Sequence, residues 1–266
     1  MATKIDIKKL LEAGAHFGHQ ASRWHPKMAP YIHSKRDGSH IIDLTKTVEE
    51  LEKALDFLTK TAASGKQILL VSTKRQAKDI VKEAAQNLKM PYVTERWLGG
   101  MLTNQNTIGS RIKQLKDLET RMASGELAAK YSKLEVQRLA EEIEAMNINY
   151  GGIKDMAAKP GAVFVVDVPN DIHAVREAKK LGIPVVALVD SNVDPSQVDY
   201  PIPSNDDATK TIQLMLDYVQ QAIADGQTKV KAAPADKAEA KGKSESQKEG
   251  SDAPVETKQE VRAVKV

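Results

Sequence analysis

Short apolar runs alternate with amphipathic stretches along the first 226 residues of the chain. Continuous aliphatic and β-branched residues predict buried strands at 67–73, 162–168 and 184–190, and shorter runs predict further strands at 40–43, 91–93 and 200–203. Apolar residues at helical spacing predict helices at 48–63, 76–88, 172–181 and 206–223. Strands that are apolar on both faces and separated by helices are typical of a covered parallel sheet. The pattern therefore predicts an α/β domain with a doubly wound, mostly parallel sheet.

One segment, 104–147, lacks a strand signal and carries two narrow apolar stripes instead. Ile108, Ile112, Leu115, Leu118 and Met122 form the first stripe, and Val136, Leu139, Ile143 and Met146 form the second. Both stripes repeat at spacings of three and four, with a glycine between them. This pattern predicts an antiparallel coiled-coil hairpin inserted into the α/β domain, which then comprises 1–103 and 148–226. Narrow stripes are buried on few sides, so we expect the hairpin to project from that domain.

The last 40 residues have a different composition. Residues 227–266 contain no Leu, Ile, Met, Phe, Tyr or Trp, and their nine basic and seven acidic side chains nearly balance. Such a stretch buries too little apolar surface to offset its chain entropy, so we expect a disordered tail. The alternative is a weakly basic tail that touches nucleic acid.

Composition excludes several classes of protein. The 266 residues include no Cys, which excludes a disulfide framework, thiolate zinc ligands and a cysteine nucleophile. No run approaches the roughly 20 apolar residues of a membrane span, and no apolar segment follows the charged N-terminus. We therefore expect a cytoplasmic protein without a signal peptide.

Positive charge is concentrated in two segments, although the net charge of the whole chain is only +3. Residues 1–40 carry seven basic and three acidic side chains, and residues 66–116 carry ten and three. Residues 117–147 have the opposite balance, four and seven. Local excess of this kind is expected of a protein that binds a phosphate backbone. The alternative is a set of solvated helix faces.

Lys74 and Arg75 follow the first strong strand, at a predicted helix start. Ligands of open α/β sheets bind outside the carboxyl ends of strands, and helix N-termini attract anions, so these side chains are candidate phosphate contacts. Neither a G-x-x-x-x-G-K-[ST] loop nor a G-x-G-x-x-G turn follows any predicted strand. Without such glycines the backbone cannot approach a pyrophosphate closely, and we expect no nucleotide or other cofactor.

Two histidines and several acidic residues are candidate metal ligands. His16 and His19 would share one face of a helix, but Gly18 disfavours a helix and no nearby carboxylate pair or Cys completes a ligand set. The acidic residues after positions 189 and 204 are the types that form turns and helix caps. We therefore predict no metal site and no catalytic residue.

Aromatic and cationic side chains alternate near the N-terminus. Arg23, Trp24, His25 and Lys27 lie in a segment interrupted by proline, and Arg36 precedes an Asp-Gly pair. Rings and guanidinium groups stack on unpaired bases, while lysines hold phosphates. Trp24 taken alone is better explained as a core residue. Gly99-Gly100 and Gly151-Gly152 flank the predicted hairpin and provide sharp turns at both crossings.

Eight blocks of sequence form a recognisable set: LLEAGAHFGH at 10–19, RWHPKM at 23–28, HIIDL at 40–44, TKRQ at 73–76, RWLGGMLTN at 96–104, GGIKDM at 151–156, LGIPVVA at 181–187 and YPIPSNDDA at 200–208. Together they resemble the bacterial small-subunit ribosomal protein S2 family. The blocks occur in order and cover nearly all of the predicted folded part. The resemblance implies an α/β domain with an inserted hairpin and a non-catalytic protein that binds small-subunit ribosomal RNA late in assembly. It also implies a position between head and body of the subunit, neighbouring ribosomal proteins as partners, and help in recruiting the messenger-binding protein S1.

The predicted RNA-binding residues combine these observations. Arg23, Trp24, His25, Lys27 and Arg36 are expected to contact irregular RNA, whereas Lys74, Arg75, Arg96, Arg111, Lys113 and Lys116 are expected to neutralise phosphates, and Asn104 joins them at the hairpin entry. Two alternatives are an α/β enzyme that binds a nucleotide or sugar phosphate, and an adaptor that binds only proteins through its hairpin. An enzyme of that kind would require a glycine-lined cleft, and the sequence shows none. An adaptor that binds only proteins would not require the excess of basic residues in 66–116.

Overall fold

The computed structural model describes residues 5–157 and 159–232. A central sheet contains five parallel strands: β4 (Ile68–Val71), β5 (Tyr92–Val93), β6 (Ala162–Val165), β7 (Val185–Val189) and β8 (Tyr200–Pro203). They are ordered β5-β4-β6-β7-β8, and every neighbouring pair is parallel. The predicted α/β class with a mostly parallel sheet is confirmed.

The described residues also form eight α-helices. They are α1 (Ile7–Ala13), α2 (Leu44–Ala63), α3 (Lys78–Leu88), α4 (Gln105–Ala123), α5 (Glu126–Lys130), α6 (Lys133–Tyr150), α7 (Ile172–Lys180) and α8 (Thr209–Ala232). The last helix therefore continues beyond residue 226, where the α/β domain was predicted to end. Residues 233–266, most of the predicted tail, lie outside the described residues.

The three inner strands of the central sheet, β4, β6 and β7, are buried on both faces because they are apolar at every position. Ile68 and Leu70 of β4 face a core shared with α2, α3 and α8, whereas Leu69 and Val71 face a second core shared with α7. Successive side chains of a strand point to opposite faces, so a strand between two helical layers needs an unbroken apolar run. This requirement explains why the sequence pattern identified these strands.

A second sheet was mostly missed from the sequence. Strands β1 (Phe17–Gln20), β2 (Ile32–Arg36) and β3 (Ser39–Ile42) form an antiparallel sheet in the order β1-β3-β2. Only the last of these was predicted. Four of the five side chains of β2 are exposed, so this strand has no apolar run to reveal it. Its turn to β3 has positive φ at both Asp37 and Gly38, which is the geometry that Asp-Gly favours in a hairpin.

Three helices, α4, α5 and α6, occupy the segment of the predicted hairpin. Leu115 and Leu118 of α4 are buried, together with Leu127 of α5. No side chain of α6 is fully buried, and its stripe from Val136 to Met146 is only half-buried. Hydrogen bonds from Gln114 to Glu142 and from Asn147 to Glu119 link α4 with α6. The division of the chain into an α/β domain and an inserted hairpin at 104–147 stays a prediction.

Sheet topology places several loops at one edge. The neighbours of β4 are β5 on one side and β6 on the other, so the strand order reverses here. Side chains that follow the parallel strands β4, β6, β7 and β8 meet at their shared carboxyl edge. Such reversal points form the crevices in which open α/β sheets bind ligands.

Among the described residues, no helix combines the length and apolar character that crossing a bilayer requires.

Candidate functional site

Lys74, which follows β4, lies inside a cluster of carboxylates at this carboxyl edge. Its ammonium is 3.0 Å from Asp167 and 2.7 Å from both Asp206 and Asp207. Only 10% of the Lys74 side chain is exposed, and the side chains of Asp167 and Asp206 are more buried still. Lys74 therefore has ion-pair partners within the chain, and its charge is already matched there.

His19 of β1 joins the same cluster from the small sheet. Its Nδ1 lies 2.9 Å from Asp190 and its Nε2 lies 3.6 Å from Asp207. The backbone N–H of His19 donates to the Asp190 carboxylate and to the Ser191 hydroxyl, at 3.2 and 2.8 Å. These contacts attach the small sheet to the loop that follows β7.

Proton affinities in the cluster follow from burial and charge. Burial, followed by repulsion from Asp167 and Asp190, raises the pKa of Asp206 to about 7 although Lys74 opposes the shift. Burial alone would lower the pKa of Lys74, but its hydrogen bonds to Asp206 and Asp207 raise it. The hydrogen bond to Asp190 raises the pKa of His19 in spite of partial burial. These three shifts favour the protonated form of each group. Asp207 differs, because burial would raise its pKa but the hydrogen bond and charge of Lys74 lower it.

The cluster contains donor atoms that suit a divalent cation. His19, Asp206 and Asp207 each place one ligand atom within 4.8 Å of the others. Imidazole and carboxylate are ordinary ligands of Zn²⁺. The Lys74 ammonium contacts both of these carboxylates, however, and a cation would compete with it for them.

Sequence reasoning missed this constellation and assigned its acidic residues to turns and caps. Sequence reasoning did not connect them with a histidine or a lysine, whereas in the structure His19 contacts Asp190 and Lys74 contacts Asp206 and Asp207. His16 and His19 do not form a helical pair, as Gly18 led us to expect, since His19 lies in a strand. One signal was available: Asp167 and Asp190 lie at the ends of two predicted strands and Asp206 comes shortly after a third, and parallel strands end at one edge.

A second constellation organises the chain that enters α4. The Glu177 carboxylate of α7 accepts hydrogen bonds from the Trp97 indole at 3.0 Å and from the backbone N–H of Gly100 at 2.7 Å. It also accepts from the N–H of Leu102 and from the N–H and hydroxyl of Thr103, at 3.0 to 3.1 Å. Burial opposes ionisation, but these bonds outweigh it and lower the pKa of Glu177. One carboxylate thus fixes the whole 97–103 loop.

Glycines permit both crossings of the helical segment for different reasons. Gly100 adopts φ of 90°, which non-glycine side chains rarely tolerate. Gly152 packs so closely on Tyr92 that a Cβ there would collide with the Tyr92 carbonyl oxygen. Asn104 precedes α4, but its side chain makes no capping hydrogen bond. The neighbouring Thr103 donates its hydroxyl to Glu177 and does not cap the helix either.

The predicted RNA-binding cations fall into two groups. Four have carboxylate partners within the chain: Lys27 with Asp194, Arg36 with Asp37, Lys116 with Asp155, and Lys74 in its cluster. The other five are exposed and have no carboxylate within 4 Å among residues 5–157 and 159–232: Arg23, Arg75, Arg96, Arg111 and Lys113. The second group is available to an external anion without breaking an ion pair.

The aromatic segment lies against the carboxyl edge. The backbone N–H of His25 donates to the Ser191 carbonyl at 2.8 Å, and Lys27 contacts Asp194 in the same loop. Trp24 is 38% exposed and stands 5.1 Å from the ring of His40, so it is not a buried core residue. Arg111 and Lys113 lie on α4, and no hydrogen bond or ion pair between described residues joins them to this segment. The predicted RNA-binding residues of the aromatic segment therefore lie at the carboxyl edge, whereas Arg111 and Lys113 belong to a separate part of the surface.

Comparison with known proteins identifies the family. The family model described as ribosomal protein S2 matches residues 10–226, most of the chain. The chain belongs to the ribosomal protein S2 family. Three similar proteins are each named small ribosomal subunit protein uS2. The protein of Christiangramia forsetii is 49% identical over 85% of this chain and 75% of its own length. That of Coprothermobacter proteolyticus is 48% identical over 84% and 82%, and that of Dehalococcoides mccartyi is 47% identical over 85% and 92%.

Membership in the S2 family decides between the classes of function that the sequence left open. This S2 family member is a structural constituent of the small ribosomal subunit and not an enzyme. The carboxylate cluster at the sheet edge therefore needs no catalytic explanation. The partners of this S2 family member are ribosomal RNA and ribosomal proteins.

Proposed function

We propose that the chain binds small-subunit ribosomal RNA through exposed cations that have no partner of their own. The observation that carries the proposal is the group Arg23, Arg75, Arg96, Arg111 and Lys113. A cation that is free of an internal ion pair loses no intramolecular contact when it meets a phosphate. Phosphate contacts of this kind supply most of the affinity of nucleic-acid-binding proteins and depend strongly on salt.

Paired cations have a different role in this proposal. Lys74 is buried among three carboxylates, so it supports the loops at the sheet edge and does not reach RNA. Lys27, Arg36 and Lys116 are exposed enough to exchange their carboxylate partners for phosphate. Trp24 and His25 supply rings for stacking beside them, and Asn104 lies at the start of α4.

Sedimentation of cell lysate through sucrose at moderate and then high salt tests RNA binding. Co-migration with the small subunit that is lost as salt rises supports a component held by phosphate contacts, since such contacts release counterions. Migration as a free protein under both conditions contradicts the proposal. A matched pair sharpens the test. Arg75→Gln should lower the salt dependence of RNA affinity by about one unit of log–log slope, whereas Lys82→Gln on the exposed face of α3 should not.

Late entry into the subunit is part of the same proposal and is supported by the family resemblance. Precursor particles of the small subunit should then contain less of this chain than mature subunits do. Quantitative mass spectrometry of both particles measures the ratio of this chain to an early-binding ribosomal protein. Equal ratios in precursor and mature particles contradict late entry.

Recruitment of protein S1 is the third element of the proposal. Exposed apolar side chains on the N-terminal part of the chain support a protein contact: Ile7, Leu11 and Phe17 are 45%, 54% and 53% exposed. Large apolar side chains grouped in one region of a surface commonly mark an interface. The variant Leu11→Ser/Phe17→Ser should lose S1 from sedimented subunits while remaining bound itself. Ile148→Ser, at another exposed apolar position, serves as the control, and unchanged S1 in both variants overturns this part.

A further inference from the structure

We propose a second phosphate-binding surface at the amino edge of the parallel sheet, which takes the backbone of ribosomal RNA. The surface, here called the lysine depression, is lined by Lys66, Lys116, Lys154 and Lys159. It rests on the proposed RNA-binding function but lies at the opposite edge of the sheet from Lys74. Three of its four lysines were not among the predicted RNA-binding residues.

Shape is the first argument for this surface. The lysine depression has a volume of about 600 Å³, with Gly65, Gln67 and residues 155–157 completing its wall. A neighbouring depression of about 500 Å³ shares Lys66 and Lys159 with it and adds Lys60. Five lysines therefore line two adjoining concave surfaces, in the region where β4, β6 and β7 begin. A groove lined mainly by one sign of charge concentrates the field that attracts a polyanion.

Local order is the second argument. The Gln67 side chain donates to the Asp155 carbonyl at 3.2 Å and accepts from the Ala157 N–H at 2.6 Å, so it fixes the wall between Lys154 and Lys159. The ammonium of Lys159 donates to the Leu181 carbonyl at 2.8 Å. A lysine held in this way, as Lys159 is, loses less conformational entropy on binding than a freely rotating one does.

Charge balance is the third argument. Asp155 is the only carboxylate among the nine residues that line the depression, and it contacts Lys116 at 2.8 Å. Glu119 contacts Lys154 at 2.6 Å, and these two acids leave two of the four ammonium charges uncompensated. The Asp155 side chain is 91% exposed, so phosphate can displace it at little cost in free energy. An anion with several charges in a row fits this arrangement.

These observations also give a role to the Gly151–Met156 block, to which no function was assigned. Lys154 and Asp155 belong to that block. The close packing of Gly152 on Tyr92 fixes the backbone of the block directly after the end of α6. The lining contains no aromatic side chain within the described residues, so base stacking is absent and the contact is to phosphates. An acidic protein is the competing partner, and the experiment distinguishes it.

The test uses the full chain and a transcript of the small-subunit ribosomal RNA, with affinity measured over a series of KCl concentrations. The double variant Lys66→Gln/Lys159→Gln changes two exposed lysines that lack carboxylate partners among the described residues. We expect its log–log salt slope to be shallower by roughly 1.4 to 2 than that of the wild type. The control Lys82→Gln/Lys210→Gln changes two lysines of α3 and α8 and should leave the slope unchanged.

Each outcome decides the proposal. A slope equal to the wild type in the double variant, with RNA binding of the wild type intact, overturns the lysine depression and leaves the proposed function standing. Absence of binding by the wild type, both to the transcript and to small-subunit particles depleted of this chain, overturns both. If the double variant keeps its RNA affinity but is lost from small-subunit particles, the surface binds a protein, and the RNA assignment is wrong.

Discussion

The two edges of the central sheet carry opposite chemistry. At the carboxyl edge one buried lysine, Lys74, lies among Asp167, Asp206 and Asp207, with His19 and Asp190 beside them. At the amino edge lysines line open depressions with a single carboxylate between them. The same kind of side chain thus stabilises the fold at one edge and remains available to a partner at the other.

This difference shows why an excess of basic residues in a stretch of sequence does not identify the cations that are available to RNA. Residues 66–116 hold ten basic and three acidic side chains, yet Lys74 is matched by aspartates more than 90 residues away in sequence. Conversely, Lys154 and Lys159 lie outside the basic segments and meet Lys66 only in the folded chain. Spatial neighbours decide whether a cation is available to RNA.

The largest expected effect comes from removing the buried lysine. Lys74→Met leaves carboxylates at the sheet edge without their cation, and removing one partner from a buried ion pair costs about 3–5 kcal/mol. Urea denaturation followed by circular dichroism measures the loss in free energy of unfolding. Arg75→Gln, at the exposed neighbour, should change it by less than about 0.5 kcal/mol. Equal losses in the two variants would show that Lys74 has no special role in stability.

Asp171 gives the next largest effect, which depends on pH. This carboxyl precedes α7 and accepts the Thr73 N–H at 3.0 Å, and burial raises its pKa to about 6. The native state therefore binds this proton more tightly than the unfolded chain does, and stability falls as pH rises from about 4 to about 6. The fall amounts to about 3 kcal/mol for this group. Asp171→Asn should remove it from the pH profile of unfolding, whereas Asp79→Asn at an exposed site should not; identical profiles for all three proteins contradict the assignment.

Glu177 supplies a smaller effect away from both edges. Glu177→Ala leaves the Trp97 indole and three loop N–H groups without their acceptor, which we expect to cost about 2 kcal/mol because water satisfies the exposed ones. In a Trp24→Phe background, where Trp97 is the one remaining tryptophan, fluorescence reports the loop directly and should shift toward longer wavelength. Glu83→Ala on α3 is the control. An unshifted emission spectrum in Glu177→Ala would mean that the loop holds its shape without this carboxylate.

The smallest effect is expected at the amino edge. Lys66→Gln should change the free energy of unfolding by less than about 0.5 kcal/mol, since the side chain is exposed and has no carboxylate partner among the described residues. The same urea titration as for Lys74→Met makes the contrast quantitative. A loss near that of Lys74→Met would mean that the two edges do not differ in the way described.

Sequence patterns predicted the parallel sheet because burial on both faces forces uninterrupted apolar runs such as those of β4, β6 and β7. They missed β1 and β2, whose side chains are mostly polar or exposed and whose pairing depends on partners in the small sheet. They also missed the carboxylate cluster, since single aspartates after strands resemble ordinary turn residues until the register brings them together. Exposed Arg75 and Arg96 lie at the surface as a local charge excess suggests, and their contact with RNA stays a prediction.

Chemical acetylation of lysines in the free chain and in the assembled small subunit tests the contrast between the edges most directly. Mass spectrometry gives the extent of modification at each position. We predict that Lys74 reacts slowly in both states, and that Lys66, Lys113 and Lys159 react readily in the free chain and become protected in the subunit. Rapid modification of Lys74 in the free chain, or full reactivity of Lys66 and Lys159 in the subunit, would contradict the account.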